Sequence, residues 1–189
     1  MKRICVFCGS NKGVRPIYTE VAETLGRLLA EKGIELVYGG GCVGLMGAIA
    51  NSALRHGGHV IGVIPKALEI KEVVHEGLSD LRVVRNMHER KALLGELSCG
   101  FIALPGGFGT YEEFCEVLAW SQLGFHRKPF GLLDIAGFYG SLLQFFDHAT
   151  AEGFIRPIHR ELVLVEEDAP RLLARMQAWQ PPGEVKWIK

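Results

Sequence analysis

Two glycine-rich stretches are candidate sites for binding an anion. Residues 39–44 read G-x-G-x-x-G, and residues 106–109 carry three glycines directly before Thr110. Both stretches follow a short apolar run and precede helical periodicity, so backbone N–H groups and a helix N-terminus can converge on a phosphate. Gly9 and Ser10 follow a third apolar run. We therefore expect the three stretches to form one site for a phosphorylated ligand.

The stretch at residues 39–44 has the spacing of a dinucleotide-binding loop but lacks the rest of that motif. A dinucleotide site also needs an acidic residue about 20 positions further on, at the end of the next strand. That strand ends Val63-Ile64-Pro65 without a carboxylate, and the G-x-x-x-x-G-K-[ST] motif of P-loop nucleotidases does not occur. One alternative stays open: small residues such as Gly44 and Gly47 let a buried helix approach the sheet.

Arg90 is a charged residue in an otherwise apolar stripe of a predicted helix. The stripe consists of Met87, Leu94 and Leu97, which recur at helical spacing. A guanidinium that faces inward needs a carboxylate, a phosphate or solvent around it. The alternative is an arginine that extends to the surface along its aliphatic stem. The spacing does not decide between the two.

Glu113 has two interpretations. Thr110-x-x-Glu113 matches a capping box, in which Thr110 is the N-cap and the glutamate accepts a backbone N–H. A carboxylate in the first turn of a helix, beside a glycine loop, also lies where a bound sugar would be. Spacing alone favours the cap, and it predicts that Glu112 and Glu116 point to solvent.

The composition and charge argue against several classes of protein. The 189 residues carry 21 Lys+Arg and 21 Asp+Glu, and this neutral balance argues against a nucleic-acid-binding or membrane-surface protein. No stretch approaches the length of a membrane span, and no histidine spacing predicts a metal site. The five cysteines, mostly in apolar runs, predict reduced thiols and a cytoplasmic protein.

Short apolar runs alternate with helical periodicity along the chain, which predicts an α/β fold with a mostly parallel sheet of about seven strands. The strands are expected at Ile4–Cys8, Glu35–Tyr38, Val60–Ile64, Leu81–Val84, Gly100–Leu104, Pro129–Leu133 and Leu162–Val165. The helices are expected at Pro16–Lys32, Val43–His56, His88–Ser98, Tyr111–Leu123, Phe138–Glu152 and Ala169–Trp179. No composition shift divides the chain, so we expect one domain over residues 1–189, with 180–189 as an extended tail.

The motifs resemble those of a known family. Residues 105–113 read PGGFGTYEE and match the P-G-G-x-G-T-x-x-E signature of the LOG ("Lonely guy") family, the cytokinin riboside 5′-monophosphate phosphoribohydrolases, long mislabelled as lysine decarboxylases. Residues 8–10, 38–47, 87–91 and 120–124 also resemble family motifs. The resemblance implies a Rossmann-like three-layer fold, a homodimer, no metal or redox cofactor, and hydrolysis of the N-glycosidic bond of adenosine-type 5′-monophosphates. Trp120–His126 is expected to form part of the dimer interface.

The resemblance also implies roles for individual residues. Arg90 and Glu113 become the catalytic pair, which replaces the capping role of Glu113. The residues expected to bind the substrate are Gly9, Ser10, Gly40, Gly41, Met87, Lys91, Gly106, Gly107, Gly109 and Thr110. Three alternatives stay open: a general AMP or purine-nucleotide nucleosidase, a non-catalytic carrier of nucleotides or of molybdenum cofactor, and a pyridoxal-dependent lysine decarboxylase.

Overall fold

The computed structural model describes residues 1–69 and 74–183. Within these residues, seven parallel strands form one sheet in the order β4-β3-β2-β1-β5-β6-β7. The strands are β1 Arg3–Phe7, β2 Glu35–Tyr38, β3 Val60–Pro65, β4 Asp80–Val84, β5 Phe101–Ala103, β6 Phe130–Leu133 and β7 Val163–Glu166. The predicted parallel sheet is confirmed, and each strand begins and ends within one residue of its expected bounds.

The helices of the described residues lie between these strands along the chain, except for the last helix, which follows β7. They are α1 Pro16–Glu31, α2 Gly44–Arg55, α3 Lys66–Glu69, α4 Met87–Leu97, α5 Phe108–Leu123, α6 Gly140–Ala151, α7 Pro157–Arg160 and α8 Ala169–Ala178, with a 3₁₀ turn at Ile135–Gly137. The short helices α3 and α7 were not expected, because a single turn is too short to show a period. Helix α5 begins three residues before the expected Tyr111.

The sheet lies between two layers of helices. Successive residues of β1 alternate between the two faces, because side chains of a strand point to opposite sides of a sheet. Ile4 and Val6 belong to the core on the face of α1, α2 and α8, while Cys5 and Phe7 belong to the core on the face of α4 and α5. Both faces of the central strands are covered, which explains their continuous apolar runs.

The strand order places a crevice at the carboxyl ends of the central strands β1 and β5. Strand β1 pairs with β2 on one side and with β5 on the other. The chain builds outwards from β1 to β4 in one direction and from β5 to β7 in the other, so the order reverses between β1 and β5. Ligands of open α/β sheets bind at the carboxyl ends of the strands beside this reversal.

Two segments lie outside the described residues. They are residues 70–73, in the charged connector between β3 and β4, and residues 184–189, in the expected tail. In the rest of the chain, no helix is long and apolar enough to cross a membrane. The same described residues contain no group of three or more His, Cys, Asp or Glu side chains that could hold a metal ion.

Candidate active site

A pocket of about 410 Å³ occupies the crevice beyond the carboxyl ends of β1 and β5. Residues 8–13, which follow β1, and residues 105–110, which follow β5, form its floor and one side. Side chains from α1, α2, α4 and α5, together with Phe138 after β6, complete the lining. The segment after β1 and the second glycine stretch, which are distant in sequence, therefore meet in one site.

The N-terminus of α5 opens into this pocket. Phe108, Gly109 and Thr110 form the first turn of the helix and line the pocket. The first N–H groups of a helix have no acceptor within it, and the helix dipole adds a partial positive charge there. Gly107 is the N-cap, and it has no side chain to satisfy these donors. The arrangement suits an anion such as a phosphate.

The capping box expected at Thr110-x-x-Glu113 is wrong. Thr110 lies in the first turn, not before it, and it is buried. Its hydroxyl packs beneath Gly106, where a Cβ atom would collide with the threonine side chain. Because Gly106 has no side chain, the loop can close over Thr110 at this point. Glu113 is therefore not needed as the partner of an N-cap threonine.

The glycine stretch after β2 supports the pocket mainly through packing. A Cβ at Gly44 would collide with the backbone of Ser10, and a Cβ at Gly47 with the carbonyl of Cys42. The N–H of Leu45 donates to the carbonyl oxygen of Gly9 over 3.0 Å. These contacts fix the segment after β1 against the start of α2. For Gly44 and Gly47, the close approach of helix and loop explains the glycine.

Gly40 and Gly41 lie outside the lining of the pocket. The carbonyl oxygen of Gly40 accepts a hydrogen bond from the N–H of His75 over 3.1 Å, and Gly41 pairs with Val74 in an antiparallel bridge. Gly40 has a φ of 81°, a conformation that favours glycine. The structure thus uses this part of the loop to hold the segment before β4.

Arg90 and Glu113 form a largely buried ion pair on the wall of the pocket. The Nη1 atom of Arg90 lies 3.3 Å from Oε1 of Glu113, and each side chain is 11% exposed. The Nε–H of Arg90 donates to the carbonyl oxygen of Val63 over 3.1 Å. A Cβ at Gly39 would collide with the guanidinium, so glycine is needed there to make room. Arg90 therefore faces inward and does not extend to the surface.

The thiol of Cys8 lies at the floor of the same pocket. Burial raises its pKa well above the ordinary value, and the negative charge of Glu113 raises it further. The thiol is accordingly neutral near pH 7, and a neutral thiol is a poor nucleophile. The carboxylate and the guanidinium are thus the charged groups available to chemistry at this wall.

Lys91 and Met87 are expected substrate contacts that the structure places outside the lining of the pocket. The ammonium of Lys91 lies 2.6 Å from a carboxylate oxygen of Glu112 and 3.0 Å from one of Glu116. Its hydrogen bond to Glu112 raises the pKa of Lys91. Glu116 is half-buried in this pair, so the expectation that it points to solvent is wrong, while Glu112 is exposed as expected. Met87 lies on the surface with its Sδ 3.9 Å from Nη1 of Arg90.

The other expected contacts do lie in the pocket. They are Gly9, Ser10, Gly106, Gly107, Gly109 and Thr110. Lining residues that carried no signal in the sequence include Lys12, Tyr18 and Phe138. The rings of Tyr18 and Phe138 meet edge to face, with their centres 5.9 Å apart. They are distant in sequence, and only the packing of α1 against the turn after β6 brings them together.

Comparisons with known proteins show the family to which the chain is similar. A family profile described as "possible lysine decarboxylase" matches residues 46–176. The cytokinin riboside 5′-monophosphate phosphoribohydrolase LOG7 of Arabidopsis thaliana is 50% identical, over 95% of this chain and 83% of its own length. The cytokinin riboside 5′-monophosphate phosphoribohydrolase LOG of Oryza sativa subsp. japonica is 48% identical, over 97% of this chain and 76% of its own length.

Solved structures share the fold at lower identity. The molybdenum cofactor carrier protein from Chlamydomonas reinhardtii has a TM-score of 0.72 and 23% identity, covering 94% of this chain and 96% of its own. The molybdenum cofactor binding protein from Rippkaea orientalis has a TM-score of 0.71 and 22% identity, covering 94% and 97%. At this identity the likeness shows the fold alone.

Proposed function

Because the chain belongs to the LOG family of cytokinin riboside 5′-monophosphate phosphoribohydrolases, we propose that it hydrolyses the N-glycosidic bond of adenosine 5′-monophosphates. The products are the free base, adenine or N6-prenyladenine, and ribose 5-phosphate. The observation that carries the proposal is the Arg90–Glu113 pair on the wall of a pocket that a helix N-terminus also lines. One end of the site suits a phosphate, and a carboxylate lies beside it.

The phosphate binds at the first turn of α5. Gly107 and Gly109 leave the backbone of this turn open, because a Cβ at either position would meet nothing within 4 Å. The backbone N–H groups can therefore approach the phosphate oxygens closely. Ser10 offers a hydroxyl from the facing loop, and Gly9 allows that loop to approach Gly106. The ribose then extends along α5 towards Glu113.

Cleavage of the bond between C1′ and N9 passes through an oxocarbenium-like transition state. The carboxylate of Glu113 stabilises the positive charge on the sugar and orients the attacking water. The water oxygen bonds to C1′ and one of its protons passes to the carboxylate, while the base leaves with the bonding electron pair and takes up a proton from solvent. The carboxylate then releases its proton to solvent, which restores the starting state. Arg90 holds the carboxylate in place and contacts the phosphosugar.

Pyridoxal chemistry, which the profile's description suggests, does not fit the lysines of this site. A pyridoxal enzyme needs a lysine that reaches the cofactor to form a Schiff base. Among the described residues that line the pocket the only lysine is Lys12, which is exposed at its rim. Lys91 is nearby but is held by Glu112 and Glu116.

Chromatography of the reaction products tests the proposal. The purified protein is incubated with AMP and, separately, with its N6-prenylated form, and free base and ribose 5-phosphate are quantified. We expect equal amounts of both products. A comparison of kcat/KM for the two substrates separates a cytokinin-producing enzyme from a general AMP nucleosidase. A carrier would bind AMP and release no base, which would refute the proposal.

A homodimer is the assembly that the exposed apolar surface supports. Every residue of α6 keeps part of its surface exposed, and Phe145 is 61% exposed. Between α5 and α6 lies an apolar groove of about 180 Å³ that includes Leu118 and Phe146. Phe125, within the segment expected at the interface, is 70% exposed. Light scattering should give twice the chain mass of 20.8 kDa, and a monomer at micromolar concentration would refute the dimer.

The cytoplasm is the compartment that the cysteines favour. All five cysteines are free thiols, and Cys5 and Cys8 are buried in the core. Free buried thiols are typical of proteins in a reducing compartment. Fractionation of the source cells, followed by detection of the protein with an antibody, tests this assignment. Recovery in a secreted or membrane fraction would contradict it.

A further inference from the structure

The pocket has a second end that the catalytic pair does not occupy. The guanidinium of Arg90 donates a hydrogen bond to the carbonyl oxygen of Val63 in β3, and it lies beside Gly39, which follows β2. Phe138 follows β6, and it lines the pocket together with Lys12. In the strand order, β2 and β6 are three spacings apart, about 14 Å at about 4.8 Å per strand. The N-terminus of α5, which follows β5, lies between these ends.

The charges of the pocket are unevenly distributed between its ends. Among the described residues that line it, the charged side chains are Lys12, Arg90 and Glu113. Arg90 and Glu113 largely neutralise each other across 3.3 Å. The helix N-terminus supplies about half a unit of positive charge. A phosphate dianion bound at α5 therefore lacks a full countercharge unless Lys12 provides it.

The backbone beside Lys12 is fixed while its ammonium stays available. Gly13 has a φ of 72° and packs against the ring of Tyr18, where a Cβ atom would lie 2.8 Å from a ring carbon. The edge-to-face contact between Tyr18 and Phe138 holds that ring in turn. Lys12 is exposed and forms no ion pair with any described residue. A compact ammonium on a flexible stem can reach the outer oxygens of a phosphate.

We propose that Lys12 binds the outer oxygens of the 5′-phosphate. The nucleotide then lies with its phosphate towards Tyr18 and Phe138, and with its glycosidic bond beside Arg90 and Glu113. This inference rests on the proposed function and adds an orientation to it. It makes Lys12 a residue that selects nucleotides over nucleosides, because a nucleoside has no charge at that end of the pocket.

Calorimetry with ribose 5-phosphate, AMP and adenosine tests the role of Lys12. We expect Lys12→Ala to weaken the binding of ribose 5-phosphate and AMP about fivefold to tenfold, since an exposed charge-assisted contact is screened by water. Adenosine binding should not change, and Lys12→Arg should restore most of the affinity for both phosphates. KM for AMP should rise more than kcat falls. Lys32→Ala, at an exposed lysine that follows α1 outside the pocket, is the matched control.

Two results would overturn the inference. One is unchanged affinity of Lys12→Ala for ribose 5-phosphate, and the other is an equal loss of affinity in Lys32→Ala. Failure of the proposed function is a separate outcome, seen when the unaltered protein releases no base from AMP. Binding of ribose 5-phosphate still reports on Lys12 in that case, because it does not depend on catalysis.

Discussion

Replacing Gly39 with alanine tests how the fold positions Arg90. A Cβ at this position would lie 2.4 Å from Nη2 of Arg90, whereas ordinary contact begins at 3.4 Å, so the guanidinium must retreat by about 1 Å. The backbone at Gly39 does not have a positive φ, so alanine is not strained there. A displacement of about 1 Å at a catalytic group can cost about 100-fold in rate. We expect a loss of that order in kcat/KM for AMP.

The stability of this variant should change little. The colliding atom is the end of a flexible side chain, which can move without disturbing the core. We expect the free energy of unfolding to change by less than about 1.5 kcal/mol. Gly140→Ala is the matched control, since its Cβ would meet nothing within 4 Å and it lies at the start of α6, outside the pocket. Initial rates of base release and urea denaturation are measured for both variants.

Full activity in Gly39→Ala would refute the reasoning, because it would show that the position of the guanidinium does not matter. An equal loss of activity in Gly140→Ala would also refute it. A loss accompanied by a large drop in stability would place the effect in folding instead of in the site.

Two further predictions concern stability. Burial lowers the pKa of His126, so the unfolded chain binds a proton there first as the pH falls below about 6.5. Stability should therefore fall as the pH is lowered through about 6.5. The fall, measured by urea denaturation, should be smaller in His126→Gln, and equal falls would contradict this. The hydroxyl of Tyr139 donates to the carbonyl oxygen of Leu104 over 2.6 Å. Tyr139→Phe should lower the free energy of unfolding by about 1–2 kcal/mol. Tyr111→Phe, the control, should lower it by less than about 0.5 kcal/mol. Equal losses in the two variants would contradict the role of this hydrogen bond.

The sheet could be predicted because each strand is a separate apolar run. The runs around Ile4, Ile61 and Ile102 are covered on both faces, so their hydrophobicity is nearly continuous and easy to recognise. The order of the strands could not be read in the same way. It depends on which apolar faces pack together across the whole chain, and adjacent sequence does not encode that choice.

The start of α5 shows a local signal that tertiary packing overrides. Thr110 and Glu113 have the spacing of a capping box, but the threonine is buried beneath Gly106 and the helix begins at Phe108. Phe108, Gly109 and Thr110 are weak helix formers, so sequence alone favours a later start. In the folded protein the helix nevertheless includes these residues, and Thr110 is buried.

Residues of the candidate site could be predicted where a pattern within one helix or one loop singles them out. Arg90 interrupts an apolar stripe and Glu113 belongs to a motif, so both could be selected from the sequence. Lys12, Tyr18 and Phe138 could not, because they meet only when β6 takes its place beside β5. The role of Gly39 was hidden for the same reason, since the arginine that fills its space lies on α4.

The most direct test of the catalytic assignment compares Glu113→Gln with Glu112→Gln in the release of base from AMP. The two glutamates are neighbours on α5, but only Glu113 lines the pocket, while Glu112 pairs with Lys91 at the surface. Loss of the carboxylate that stabilises the transition state should lower kcat at least about 100-fold in Glu113→Gln. Glu112→Gln should keep kcat within about threefold of the unaltered protein. Similar rates in the two variants would contradict the assignment of Glu113.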